Sequence, residues 1–115
     1  DTVCRAVANS LNFGDFVEGK QVAYARVVTD QATFAYMADV FVLKEHKGKG
    51  YSKRLVEAVV SHLGLQGLRR FTLATRDAHG LYERFGFTPT VQPRTLMERF
   101  VADAYAVNRE KVDRS

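Results

Sequence analysis

The chain has 115 residues, of which 46% are hydrophobic and 26% charged, and it carries a formal net charge of +4. That is one domain's length with ordinary globular composition, and no apolar run nears the roughly 18 residues a bilayer span needs, so no membrane partner is expected. The start lacks a signal-peptide pattern, and the single cysteine, Cys4, allows no internal disulfide, which points to a reducing compartment, the cytosol.

The chain opens on Asp1 rather than Met, already within a helical pattern, which suggests that an N-terminal portion precedes it. Val3, Ala6, Val7, Ser10 and Leu11 at helical spacing predict a helix over 3–11. Residues 13–28 read as a β-hairpin turning at Glu18-Gly19-Lys20, where Gly19 supplies the positive φ of a tight turn. After a polar break at 29–33, the apolar run 34–43 reads as a strand buried on both faces, with Asp39 its only charge. Residues 44–50 form a charged, glycine-bearing loop. A helix follows from about Tyr51 to Leu63, with Leu55, Val56, Val59, Val60 and Leu63 as its apolar stripe and Gly64 and Gly67 at its end. A short strand is predicted over 70–75. Asp77 is expected to cap a second short helix on which Ala78, Leu81, Tyr82 and Phe85 share a face, closed by Gly86. A last strand is predicted over 95–101 and a loose tail over 103–115, leaving 1–102 as a single domain. An antiparallel start running into a β-α-β-α section predicts an α/β (α+β) domain: a mixed sheet with helices packed on it.

The segment 40–52 is the most informative. A strand runs through Gly48-Lys49-Gly50 directly into a helix. Helix starts leave backbone N–H groups unpaired, and the helix dipole adds partial positive charge there, so phosphates bind such places. Glycines let the backbone approach a ligand closely. Lys47, Lys49 and Lys53 add full charges, and the basic knot at 44–54 (five basic residues, one acidic) holds the whole net charge of the chain. A knot this short suits a small polyanion rather than a nucleic acid, which would ask for a broader basic surface. Neither standard nucleotide loop fits. The residue order is not that of a P-loop, and Lys53 stands where a dinucleotide loop has its third glycine. The same residues also fit a solvated turn joining strand to helix.

Two motifs together narrow the reading. Lys47-Gly48-Lys49-Gly50-Tyr51-Ser52 resembles the [Q/R]-x-x-G-x-[G/A] signature of the GNAT acetyltransferases, and Ala78-His79-Gly80-Leu81-Tyr82-Glu83-Arg84-Phe85-Gly86-Phe87 is similar to their A-x-x-x-Y-x-x-x-G-F segment at every fixed position. The order, with a helix and a strand between, is the family's own, and the resemblance covers about 12–99. Lys47 stands where the family prefers Arg or Gln, and Ser52 where it prefers Gly or Ala. The family's first strand and first helix have no counterpart here. The fold implied is GNAT-like: a mixed, mostly antiparallel sheet flanked by helices, with the N-terminal strand and helix missing.

The resemblance implies direct acetyl transfer from acetyl-CoA to a primary amine of a small molecule or peptide. Its alternative is a catalytically silent GNAT-like module that binds coenzyme A. The pantetheine arm would lie along the strand near Phe41 and Val42, whose backbone N–H groups are the expected oxyanion donors. The pyrophosphate would rest on the amides of Lys47, Gly48, Lys49, Gly50, Tyr51 and Ser52, with Lys53 beside them. Tyr82 matches the family tyrosine that protonates the leaving thiolate, and it also fits a core aromatic on its stripe. Asp39 is a candidate general base if burial lifts its pKa, and it equally fits a carboxylate paired with Arg26. His46 is expected to be solvated, His62 surface-exposed and His79 at a helix start. None has ligand spacing, so no metal is expected. The expected partners are acetyl-CoA and an amine acceptor, with no nucleic acid, and a homodimer is compatible with the sequence.

Overall fold

The computed structural model describes residues 1–102, so the tail expected at 103–115 lies outside the described residues. Seven regular elements follow one another: α1 (Thr2–Ala8), β1 (Leu11–Val17), β2 (Lys20–Thr29), β3 (Phe34–Val42), α2 (Tyr51–Ser61), β4 (Arg70–Leu73) and α3 (His79–Glu83). The strands form one sheet in the order β1-β2-β3-β4. The first three pair antiparallel, and β4 joins β3 in parallel after the α2 crossover. This is the mixed, mostly antiparallel sheet expected from the element order.

Local chemistry accounts for the elements. Asp1 caps α1 by accepting from the Cys4 amide at 2.8 Å. The hairpin turns at Glu18 and Gly19, both at positive φ (51° and 79°), as a tight hairpin turn requires. At the β2–β3 turn, Asp30 accepts from the Thr33 hydroxyl and from the amides of Ala32, Thr33 and Phe34. The Thr33 hydroxyl is the largest cause, with these amides, of a carboxyl held well below the usual carboxylate range.

Alternation along β2 puts Ala23, Ala25 and Val27 on one face, and Ala35 and Met37 continue that face on β3. Onto it α2 lays Leu55, Val56 and Val59, each at most 2% exposed. The core is therefore one-sided. β3 is not buried on both faces as expected: Phe34 and Tyr36 are 42% and 38% exposed. An unbroken apolar run looks alike whether one face or two are covered, and here α1 buries none of its own residues over the second face.

Other expectations are also corrected. The predicted helix 3–11 stops at Ala8, because Leu11 already pairs with Val27 in the sheet. α2 ends at Ser61, and Leu63 of the predicted stripe is 90% exposed in the following turn. No strand forms over 95–101: Pro93–Thr95 make one 3-10 turn, and the residues after it are exposed and lack a ladder partner among the described residues. Asp77 does not cap α3; the Thr75 hydroxyl accepts from the Ala78 amide at 3.0 Å instead.

One irregularity positions the site. Tyr24 opposes Phe41 but Arg26 opposes Ala38, so Ala25 faces both Asp39 and Val40. This is a β-bulge, and its extra residue, Asp39, sits in the left-handed region at φ 53°. The ladder between β3 and β4 runs only from Phe34–Arg70 to Met37–Leu73 and stops just before the bulge.

The one-sided core makes a stability prediction. Leu55→Ala, at a position 2% exposed between α2 and the sheet, should cost about 2–5 kcal/mol of unfolding free energy in a denaturant titration. A loss under about 1 kcal/mol would contradict the assignment of α2 as the core's lid.

Candidate active site

Beyond Met37 and Leu73, β3 and β4 part. The edge of β3 facing β4 is left without a strand partner among the described residues, and the space between opens into a cleft of about 1560 Å³. Of the residues expected at the site, Asp39, Phe41, Val42, Lys47, Gly48, Gly50, Tyr51, Ser52, Lys53 and Tyr82 line this cleft, and Lys49 does not. Lys49 is exposed at the crest between the two glycines. A second cavity of about 580 Å³, beside Arg69, Phe71 and Phe87, contains neither the glycine loop nor Tyr82.

The walls of the cleft are built in three ways. The first is strand edge. Leu43 donates its amide back to Val22 at 2.8 Å; successive N–H groups of extended chain point to opposite sides, so the Val42 amide is directed at the unpaired edge. The second is the loop. Leu43 leads into a 3-10 turn at Lys44–His46, and Gly48 and Gly50 then both take left-handed φ, 79° and 85°. Gly50 is the N-cap of α2, and no side chain caps that helix start. Its first turn holds no acid, while Lys53 and Arg54 lie within it. Cations at the positive end of a helix are unfavourable on their own, and an anion settling on the free amides would offset that cost. Arg54 is directed away, 3.6 Å from Asp15 of β1 and over the Tyr51 ring.

The third wall is α3, where each fixed position of the second motif has a physical task. Ala78 is the half-buried N-cap. Tyr82, one turn on, is 7% exposed and belongs to the core cluster while lining the cleft. Gly86 follows at φ 88°, and the Phe87 ring packs edge-on against Tyr82 at 5.9 Å. Tyr82 is thus core aromatic and cleft wall at once. Burial raises its phenol pKa above the ordinary tyrosine value.

Asp39 is not buried. Its side chain is 60% exposed and Oδ2 accepts from Arg26 Nε at 2.7 Å. The burial that would favour a base is absent, and the pairing with Arg26 is present. Arg26 also donates from a terminal nitrogen to Ser10 Oγ at 3.0 Å. Burial raises the pKa of Tyr24, with Arg26 and Asp39 acting in opposite directions on it, and the Tyr24 ring lies 5.6 Å from that of Phe41.

Two histidine expectations change. His46 is not fully solvated: its ring packs edge-on at 5.9 Å from Tyr51, and its Nδ1 is buried without a partner among the described residues. His62 is half-buried, edge-on to Phe13 at 5.5 Å, and its Nδ1 accepts from the Gly64 amide. His79 is exposed at the start of α3. Thr75 and Arg76 also line the cleft, at the β4 exit, and had no sequence signal beyond lying ahead of the second motif.

The raised phenol of Tyr82 has a measurable consequence. Its folded pKa exceeds the unfolded value near 10, so the folded state keeps a proton that the unfolded chain gives up. The stability tied to the neutral phenol is complete below about pH 10 and is lost as pH rises through the folded value. Tyr82→Phe should therefore lose less stability than wild type between about pH 9 and 11, with Tyr24 sustaining part of the slope. Equal alkaline slopes for the two proteins would contradict the burial.

Comparison with known proteins agrees with this geometry. Residues 12–89 match the acetyltransferase (GNAT) domain. A crystal structure of a GNAT-family protein from Xanthomonas campestris pv. campestris is 63% identical, covering 91% of this chain and 74% of that one, with a TM-score of 0.86. Glucosamine-6-phosphate N-acetyltransferase from Arabidopsis thaliana shares the fold at 18% identity and a TM-score of 0.69, covering 90% of this chain and 76% of that one. FG08082 of Gibberella zeae, whose name presumes an acetyltransferase, is 38% identical over 66 residues, 56% of this chain; the match spans only 37% of that relative's length. The family match runs through both motifs and the strands that form the cleft, and the chain belongs to the GNAT acetyltransferase family.

Proposed function

We propose that this chain is an N-acetyltransferase that binds acetyl-CoA in the cleft between β3 and β4 and passes the acetyl group directly to a primary amine. The observation that carries the reading is the convergence of an unpaired strand edge, a left-handed glycine loop on a helix start and a protonated buried tyrosine in one cleft. The pantetheine arm is a chain of amides and suits the edge at Phe41 and Val42, which offers the backbone groups a further strand would use. The pyrophosphate suits the amides from Lys47 to Ser52, with Lys47 and Lys53 supplying charge.

Transfer then needs little from the protein. The amine nitrogen attacks the thioester carbonyl carbon, and the Val42 amide, directed at the open edge while that of Phe41 faces β2, donates to the oxyanion. As the tetrahedral intermediate collapses, the C–S bond breaks and the Tyr82 hydroxyl gives its proton to the departing sulfur. The nitrogen loses its extra proton to solvent, which also returns one to the phenolate. Asp39 is given no proton-transfer role, since it is exposed and already paired with Arg26. The acceptor class stays broad. Neighbours on this fold are named for glucosamine 6-phosphate and for the alanine of ribosomal protein S18, and at 18% and 23% identity they bring the fold alone.

Two variants test the reading together. Gly50→Val puts a β-branched residue at φ 85°, where such residues are outliers; calorimetric titration should show coenzyme A affinity falling at least roughly tenfold, with the fold retained. Tyr82→Phe should leave that affinity within about twofold and slow transfer to a responsive amine by about 10²-fold. Unchanged affinity in Gly50→Val would refute the loop assignment. Coenzyme binding with transfer to no amine in a broad panel would instead make the chain a silent coenzyme-binding module.

A further inference from the structure

The bulge on β3 has an unfavourable conformation at its centre. Asp39 holds φ at 53°, a region that a residue with a β-carbon seldom occupies. Most left-handed positions elsewhere in the described chain are glycines or lie in turns; Asp39 lies inside a strand. Something must favour that state, because the register beyond it depends on it: absorbing the extra residue would slip Val40, Phe41 and Val42 by one place against β2 and turn each to the other face.

The contacts around it supply the cause. Arg26 sits on β2 at the register step and donates from Nε to Asp39 Oδ2 at 2.7 Å, a short charge-assisted bond. The Arg26 side chain is itself only 17% exposed. Its other contact is Ser10 Oγ, which in turn donates to the Ala6 carbonyl at 2.6 Å. The guanidinium therefore ties the bulge to β2 and to the end of α1.

We infer that Arg26 is a positioning residue: its ion pair with Asp39 holds the left-handed bulge and thereby the strand edge at Phe41 and Val42 on which the coenzyme would lie. The ligand readout rests on the function proposed above; the conformational readout does not. Arg26→Met keeps the apolar stem and removes the pair. Asp39→Gly removes the need for it, because glycine takes positive φ freely.

Calorimetric titration with coenzyme A should show Arg26→Met weakened by roughly tenfold. The double variant Arg26→Met/Asp39→Gly should recover to within about twofold of wild type. In the ligand-free protein, the cross-strand contact between the Tyr24 and Phe41 rings, read by nuclear Overhauser effects, should vanish in Arg26→Met and return in the double variant. A single variant with wild-type affinity and an intact ring contact overturns the inference. So does a double variant that stays as weak as Arg26→Met, since the guanidinium would then be acting on the ligand itself. Should wild type bind no coenzyme A, the proposed function falls, and the ring contact alone still decides the role of Arg26. If Arg26→Met does not fold, Arg26→Gln, which stays polar but removes the ion pair with Asp39, is read the same way.

Discussion

Two parallel strands that pair for four residues and then separate are the constraint on which the rest of this structure depends. Had the ladder continued past Met37 and Leu73, the backbone groups of β3 would be consumed within the sheet and no cleft would exist. The ladder stops just before the bulge at Asp39, where β3 carries a residue more than β2 can match. The glycine loop and α2 begin only a few residues later, on the segment that leads out of the bulge. Strand edge and helix start form one continuous wall.

The core serves that wall from behind. Leu55, Val56 and Val59 fix α2 against Ala23, Ala25 and Val27, so the start of the helix is held by packing rather than by a capping side chain. Leaving the Gly50 cap bare keeps its amides free, and the cations in the first turn raise the gain from an incoming anion. Tyr82 bounds the cleft from the other side: it sits at once in the core cluster and on the cleft wall, and burial raises its phenol pKa. The opposite sheet face leaves Phe34 and Tyr36 exposed, and Tyr36 also lines the cleft.

What the sequence disclosed follows from how local each signal is. The glycine loop, the helix behind it and the Ala78–Phe87 motif are contiguous, and their residue types act over one or two turns of chain, so their places were legible. So was the hairpin, through Gly19. What remained hidden depends on contacts between distant segments. Asp39 looks the same in sequence whether it is a buried base or an exposed bulge residue, because only the register against β2 separates the two. Phe34 and Tyr36 read as buried because apolarity records what a side chain tolerates, not what covers it. The strand expected over 95–101 failed for a related reason, since alternation cannot provide a ladder partner. Arg26 carried no motif beyond its fit as a partner for Asp39, and its place at the register step emerges only from the pairing of two strands.

The central claim is that one ligand spans the strand edge and the glycine loop together. It is tested most directly by titrating isotope-labelled protein with coenzyme A and following every backbone amide by nuclear magnetic resonance. The account predicts saturable shifts concentrated at residues 40–42 and 47–52, moving with a single affinity, while the hairpin turn at Glu18 and Gly19 stays unchanged. Shifts centred on the cavity beside Arg69 and Phe87, or two groups of amides saturating independently, would contradict it.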